Sequence, residues 1–317
     1  MPRQSDITRP DLTVIIVSHK TRDLTLKALE TLHNTTKTAF TTILFDNASN
    51  DGTVEAVTAQ FPQVDVIASP ENVGFARANN IAAARAISDW LLLLNPDTEC
   101  HAGAVDTLLA FSQAHPEAGI TGGRTVFPDG SLNIASCWMR MTPWSTFCHA
   151  TGLRSLFPGS RIFNSEAIGG WQRDTVREVD IIVGCFLMIP RTLWQRLGGF
   201  DLRYFMYGEE ADLCLRAKAL GYRPMITPDA QIMHLVGASS KSSRVNHYVM
   251  IAKARVTLIH DHWPAATVAF GRVMMALWAG LRAFGLSALA RTTGRKKDAA
   301  REWRAIWADR ANWLQGY

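Results

Sequence analysis

Four short apolar runs limit the folds open to this chain more than any other feature: LTVIIVS (12–18), TTILFDN (41–47), VDVIAS (64–69) and WLLLLN (90–95). Little in them alternates between apolar and polar, so the strands they form must be buried on both faces. Between them lie RDLTLKALETLH, DGTVEAVTAQF and FARANNIAAARAI, amphipathic stretches of helical length. Strand and helix alternating from residue 12 to about 123 imply a parallel sheet covered by helices on both faces.

In open α/β sheets, ligands bind outside the carboxyl ends of the strands. Three of these strands end in polar residues: Ser18-His19, Asp46-Asn47 and Asn95-Pro96-Asp97. Pro96 turns the chain out of the sheet, which points the Asp97 carboxylate at the crevice, where Mg2+ or Mn2+ could take it as an oxygen ligand. Asn-Pro-Asp and DNASNDGT are also ordinary turn chemistry, so neither decides the matter alone.

Further along, VDIIVGCFLMIP (179–190) reads as one long apolar strand, RTLWQRLG as a short helix and EEADLCLRAKALG as a longer one. Glu209 and Glu210 open that last helix, where acids suit the helix dipole. Facing a cleft, the same pair would raise one another's pKa and supply a general base. His234 closes the run MITPDAQIMH and gains a role only if the fold brings it to a metal. Residues 127–177 lose periodicity and read as loops and short elements over the sheet.

Several functions are excluded by what is missing. The chain has no P-loop, no glycine-rich dinucleotide fingerprint in SHKTRD after the first strand, and no G-x-S-x-G elbow. Phosphates bound here must be neutralised by a metal and side chains. Five cysteines, odd in number and far apart, indicate reduced thiols, and MPRQSDITRP lacks the apolar core of a signal peptide, so a cytoplasmic protein is expected.

Taken in order, VIIVSHKTRD, ILFDNASNDGT, ENVGFARANNIAAA, LLLLNPDTE, VDIIVGCFLMIPR, LGGFDLRYFMYGEEADLCLRAKALGY and PDAQIMHLVGASS resemble the inverting nucleotide-sugar glycosyltransferases of family 2, and within them the rhamnosyltransferase-like group. The resemblance spans about residues 12 to 240. It implies a GT-A fold: an α/β, mostly parallel, Rossmann-like central sheet with helices on both faces, here with a C-terminal helical tail. It divides the chain into an N-terminal extension (1–11), a GT-A domain (12–262) and a basic helical extension (263–317). Within the GT-A domain, residues 12–123 would form the nucleotide-sugar-binding half and 124–262 the acceptor and catalytic-base half.

The same resemblance implies roles for single residues. Ser18, Asp46, Asn47, Arg77, Asn80 and Asn95 would lie at the donor, with Asp46 at the nucleotide base. Asp97 would be the principal ligand of Mg2+ or Mn2+ in a variant D-x-D motif, assisted by His234. Gly199, Phe200 and Asp201 would shape the acceptor side. Glu210 would be the catalytic base, although the family commonly has Asp there, and the longer side chain leaves Glu209 open as well. His19-Lys20 stands where Tyr-Asn is usual. The expected reaction is transfer of a hexose, L-rhamnose from dTDP-L-rhamnose, to a glycan or polyprenyl-diphosphate-linked acceptor in bacterial cell-surface polysaccharide synthesis. A non-catalytic nucleotide-sugar-binding or membrane scaffold protein is the alternative of a different class, and nothing in the chain calls for nucleic acid.

After Pro264 nine basic residues face three acids, so the basic character behind the net charge of +5 sits in the tail. Arg272 and Arg282 break its long apolar stretch short of the roughly 20 residues a membrane span needs. Trp303, Ile306 and Trp307 recur at helical spacing among arginines, which suits an interfacial helix on the inner face of the plasma membrane. The same spacing suits a helix packed on the core or in a homodimer interface equally well.

Overall fold

In a computed structural model the protein is described over residues 10–235 and 244–317. Residues 1–9, most of the expected N-terminal extension, and VGASS (236–240), the end of one matching stretch, lie outside this description. The first half follows the expected alternation: β1 (Leu12–Ser18), α1 (Arg22–Thr35), β2 (Phe40–Asn47), α2 (Thr53–Gln60), β3 (Asp65–Ser69), α3 (Phe75–Arg85) and β4 (Trp90–Leu94). The four strands pair in parallel, Ser18 level with Asp46 and Ile16 with Leu94. Their polar ends therefore reach one edge of the sheet.

The apolar runs are continuous because each strand feeds two cores. Leu91 and Leu93 join Ile15, Ile43, Leu187 and Ile189 on one face, while Leu92 and Leu94 join Val14, Ile16, Leu44 and Met188 on the other. All four leucines are essentially inaccessible to solvent. Each contributes about 1.5–3 kcal/mol by burial, so neither face tolerates a polar residue.

The remaining elements of this domain are β5 (Thr98–Cys100), α4 (Ala104–Ala114), β6 (Thr121–Val126), β7 (Leu132–Asn133), β8 (Cys137–Trp138), α5 (Pro143–Thr151), α6 (Leu153–Leu156), β9 (Arg177–Glu178), β10 (Ile181–Ile182), β11 (Phe186–Pro190), α7 (Arg191–Leu197), α8 (Glu209–Ala219) and β12 (Met225–His234). The sheet runs β3-β2-β1-β4-β11-β6-β12-β5, with β7 on β6 and β9 on β12. Beyond β4 it is mixed: β11 is antiparallel to β4 and β6, β12 is parallel to β6, and β5 is antiparallel to β12.

VDIIVGCFLMIP is two strands, where its unbroken apolar pattern predicted one. Ile181 and Ile182 pair with Cys137 and Trp138 in a separate two-stranded sheet, and Phe186–Pro190 pairs in the main one. The break falls at Val183–Cys185. There a Cβ added to Gly184 would lie 3.5 Å from the Phe75 ring and 4.0 Å from the Glu210 Cβ. This turn therefore lies in ordinary contact range of Phe75 on α3 and of Glu210, which sits in the loop-to-helix segment 208–210.

Four helices complete the chain: α9 (Arg244–His262), α10 (Ala265–Thr293), α11 (Lys297–Ala308) and α12 (Arg310–Trp313). They share one core in which Ile259, Met275, Trp278, Trp303, Ile306 and Trp313 are buried together with Tyr204 and Ala211. Trp303 and Ile306 therefore take the packed role rather than the interfacial one. In packing terms the helical region begins at α9, ahead of residue 263.

Candidate active site

The end of β1 is held by its own hydroxyls. Ser18 Oγ lies 3.0 Å from both Thr21 Oγ1 and Thr25 Oγ1, and the group is buried. His19 Nδ1 sits 2.8 Å from the Asn47 carbonyl oxygen, bridging the ends of β1 and β2. Asp46, level with Ser18, is buried; its Oδ2 accepts from the Ser49 amide at 3.1 Å, while Oδ1 has no partner. It lines an open cleft of about 840 Å3 together with Arg22, Asn50, Gly52, Thr53 and Ser69. A buried acceptor with a free oxygen at the mouth of such a cleft can receive a hydrogen bond from a base or ribose.

Asn47 is spent on structure. Its Nδ2 donates to Asn72 Oδ1 at 2.9 Å and its Oδ1 accepts from the Val73 amide at 2.8 Å, tying β2 to the loop before α3. That loop in turn meets the loop before α8: the Phe75 amide donates to the Phe205 carbonyl at 2.8 Å. Gly74, with φ +84°, fits only because it lacks a Cβ, which would come within 2.5 Å of that same carbonyl oxygen. The donor edge and the loop carrying Glu209 and Glu210 are thus in direct contact.

Asp97 is buried, and neither of its carboxylate oxygens has a hydrogen-bond partner. A buried carboxylate left so costs stability unless a cation completes it. Its neighbour is His234, with Nε2 3.4 Å from Asp97 Oδ1. Strand pairing places them: His234 at the end of β12 lies opposite Thr98, and the Leu235 amide donates to the Asp97 carbonyl at 3.1 Å. Burial opposes the charged imidazole, but the adjoining Cys185 thiol and the Asp97 carboxylate outweigh it and push His234 up to about 10. The imidazole is thus favoured in its charged form, as an ion-pair partner of Asp97. Among the described residues no group of three or more His, Cys, Asp or Glu is arranged to hold a metal ion by itself. A cation held here would take its other ligands from phosphate and water, as Mg2+ usually does.

Glu209 and Glu210 begin α8 after Gly208, whose φ of +90° turns the chain into the helix. Each has one carboxylate oxygen buried without a partner. Burial, and then the charge of Glu210, raise Glu209 well above the usual carboxylate range; burial also raises Glu210. The two face different surroundings. The Glu210 Cβ adjoins Gly184, whose neighbour Cys185 accepts the Asn95 amide at 3.2 Å, so Glu210 lies on the sheet-edge side. Glu209 is almost fully buried, and its charge adds to the burial that pushes up the phenol of Tyr317, on the side of the C-terminal helices.

The other expected site residues separate. Arg77 is exposed on the first turn of α3. Asn80 clamps Phe200, donating to its carbonyl at 2.8 Å and accepting its amide at 2.9 Å. Gly199 packs against Asn80, and the Phe200 ring is core, edge-on to Trp194 with centroids 4.9 Å apart. Asp201 holds Arg203 at 2.7 Å, and Arg203 also reaches Asp261 at 2.6 Å. Gly199, Phe200 and Asp201 are thus engaged in packing, backbone clamping and an ion pair within the chain. Sequence reading missed Gly184 and Tyr317; a glycine interrupting an apolar strand was the available signal for the first, and the second has none.

Comparison with known proteins bears on the family and the fold. A family model described as Glycosyl transferase family 2 matches residues 13–174, just over half of the chain. The N-acetylglucosaminyl-diphospho-decaprenol L-rhamnosyltransferase of Mycobacterium tuberculosis is 26% identical over 278 residues, covering 79% of this chain and 84% of that protein. The rhamnosyltransferase WbbL of Escherichia coli (strain K12) is 29% identical over 240 residues, covering 72% and 85%. Among solved structures, the mannosyltransferase PcManGT from Pyrobaculum calidifontis, in complex with GDP-Man and Mn2+, superposes with a TM-score of 0.58 at 17% identity, covering 96% of this chain and 88% of that one.

Proposed function

The chain belongs to glycosyl transferase family 2, has the GT-A fold and is a glycosyltransferase, and from that premise we propose that it transfers L-rhamnose from dTDP-L-rhamnose with inversion. The acceptor is a glycan or a polyprenyl-diphosphate-linked sugar of bacterial cell-surface polysaccharide, met at the inner face of the plasma membrane. The rhamnosyltransferase names of the relatives support the sugar, and the diphospho-decaprenol acceptor in one of those names supports the lipid-linked class.

One observation carries the reading: the buried Asp97 carboxylate, both oxygens unpartnered, lies beside His234 at the sheet edge that also carries Asp46 and adjoins Glu210. Asp46 ends β2 and Asp97 follows the end of β4, the two strands that flank β1, which supports a nucleoside at Asp46 and its diphosphate at Asp97. Held by Asp97, and by His234 once its Nε2 has given up its proton, Mg2+ or Mn2+ would supply positive charge to the leaving diphosphate.

Glu210 accepts the proton of the acceptor hydroxyl. The hydroxyl oxygen then forms its bond to the anomeric carbon from the face opposite the diphosphate, and the carbon–oxygen bond to phosphate breaks with its electron pair passing to the departing nucleotide. Burial raises Glu210, which makes it a stronger base than a free carboxylate.

The test is release of nucleotide diphosphate from a panel of nucleotide sugars, with Mg2+, with Mn2+ and with chelator. Release from dTDP-L-rhamnose alone, lost on chelation, is the expected result. Turnover that survives chelation removes the metal from this reading, and release from another donor alone removes rhamnose.

A further inference from the structure

We propose that the outward face of α10, with the basic groove it forms with α11, docks the enzyme onto a bilayer surface rich in anionic phospholipid. The face is a continuous apolar stripe. Phe270, Val273, Leu281 and Phe284 recur at whole-turn spacing, and their exposures run from 40% at Phe270 to 65% at Phe284. Exposed apolar side chains in a row of this length are costly in water and mark an interaction surface.

The chemistry beside the stripe identifies what covers it. Where α10 passes into α11, a groove of about 290 Å3 is lined by Arg291, Lys297, Arg301 and Arg304, with Ser287, Ala290 and Ala300 as its small residues. No acid lines it. Arg310 stacks over Trp307 at 4.6 Å, and Trp307 meets Phe284 edge-on at 5.8 Å, so cations and aromatics border the stripe together. An apolar face flanked by cations matches acyl chains beneath phosphate headgroups. A second copy of this chain would instead bring like charges together, and a nucleic acid would leave the apolar stripe in water.

The helix lies along the surface rather than across it. At 29 residues it is long and apolar enough to span a bilayer. Its other face, however, is buried: Met275, Trp278, Ala279 and Ala283 pack within the helical core. Arg282 belongs to that inner face, donating to the Trp278 carbonyl at 3.0 Å and stacking on Trp278 and Trp303, each at 5.5 Å. Crossing the membrane would strip this packing and carry Arg282 into hydrocarbon.

This inference rests on the sugar-transfer reading only for where the acceptor is met, and the two fail separately. Pelleting of the full chain with vesicles reads docking; nucleotide diphosphate release with a soluble acceptor reads transfer. The protein is expected to pellet with vesicles of phosphatidylcholine and phosphatidylglycerol, to stay in solution with phosphatidylcholine alone, and to be released by salt. Leu281→Glu/Phe284→Glu should lower vesicle affinity at least about tenfold. Arg291→Glu/Arg301→Glu should lower it about a hundredfold, and both variants should keep wild-type transfer. Absence of pelleting, equal pelleting with neutral vesicles, or wild-type vesicle affinity in these variants would overturn the proposal. So would loss of self-association in the variants with vesicle binding unchanged.

Discussion

At the residue scale, the site is a set of carboxylates that the fold buries without satisfying. Asp97, Glu209 and Glu210 each keep an unpartnered oxygen in low-dielectric surroundings. Native proteins rarely leave such groups unless function requires it. Glu209 shows the cost. Its folded pKa stands above the ordinary 4.5, raised by burial and then by Glu210, so the folded state holds a proton that the unfolded chain releases. Stability must therefore fall as pH rises from about 4.5 toward that folded value, and the penalty persists above it. Glu209→Gln removes the charge, so its melting temperature should exceed that of wild type at pH 8 and converge with it below pH 4.5. Melting curves of the two proteins across pH check this, and a gap that widens toward low pH would contradict it.

At the element scale, the donor edge and the base loop behave as one unit through the segment Asn72–Phe75. Asn47 ties that segment to β2, and Phe75 hydrogen-bonds Phe205. Gly74→Ala places a Cβ 2.5 Å from the Phe205 carbonyl at a φ of +84°. It should cost about 1–3 kcal/mol of stability and slow transfer by moving the loop that carries Glu210. Denaturant unfolding with parallel kinetics measures both, and an unaltered rate would uncouple the loops.

How much of this was legible follows from which signals are local. The parallel strands and their polar ends were readable because double burial leaves Val, Ile and Leu in unbroken runs. The split of VDIIVGCFLMIP was not, since both strands are apolar and only Gly184 separates them. The pairing of β12 with β5, which sets His234 against Asp97, joins residues distant in the chain and leaves no periodic trace. Phe200 and Asn80 stood in matching stretches, yet motif membership does not distinguish a side chain that touches a ligand from one that clamps a loop.

At the scale of the whole molecule, the sheet edge, the base loop and the helical tail converge. Tyr317 meets Tyr204 edge-on at 5.6 Å, and its amide donates to Thr257 Oγ1 at 2.8 Å, so the end of α12 returns to the loop that precedes α8. The tail is thereby packed onto the catalytic half while its outward face carries the cationic, apolar surface. A donor cleft on one side and a lipid-facing surface on a firmly attached helical unit suit an enzyme that joins a soluble donor to a lipid-linked acceptor.

The central claim is that Glu210 takes the acceptor proton at a site built around Asp97. Its most direct test is single-turnover transfer by Glu210→Gln with donor saturating, set beside Asp97→Ala. Loss of a general base lowers the chemical step by about 10²–10⁴. Glu210→Gln should therefore bind donor as wild type does yet transfer at least about a hundredfold more slowly, without the acid limb that the raised Glu210 predicts for wild type above pH 4.5. Asp97→Ala should lose metal-stimulated turnover while remaining folded. Transfer by Glu210→Gln at near the wild-type rate, with the acid limb intact, would contradict the account.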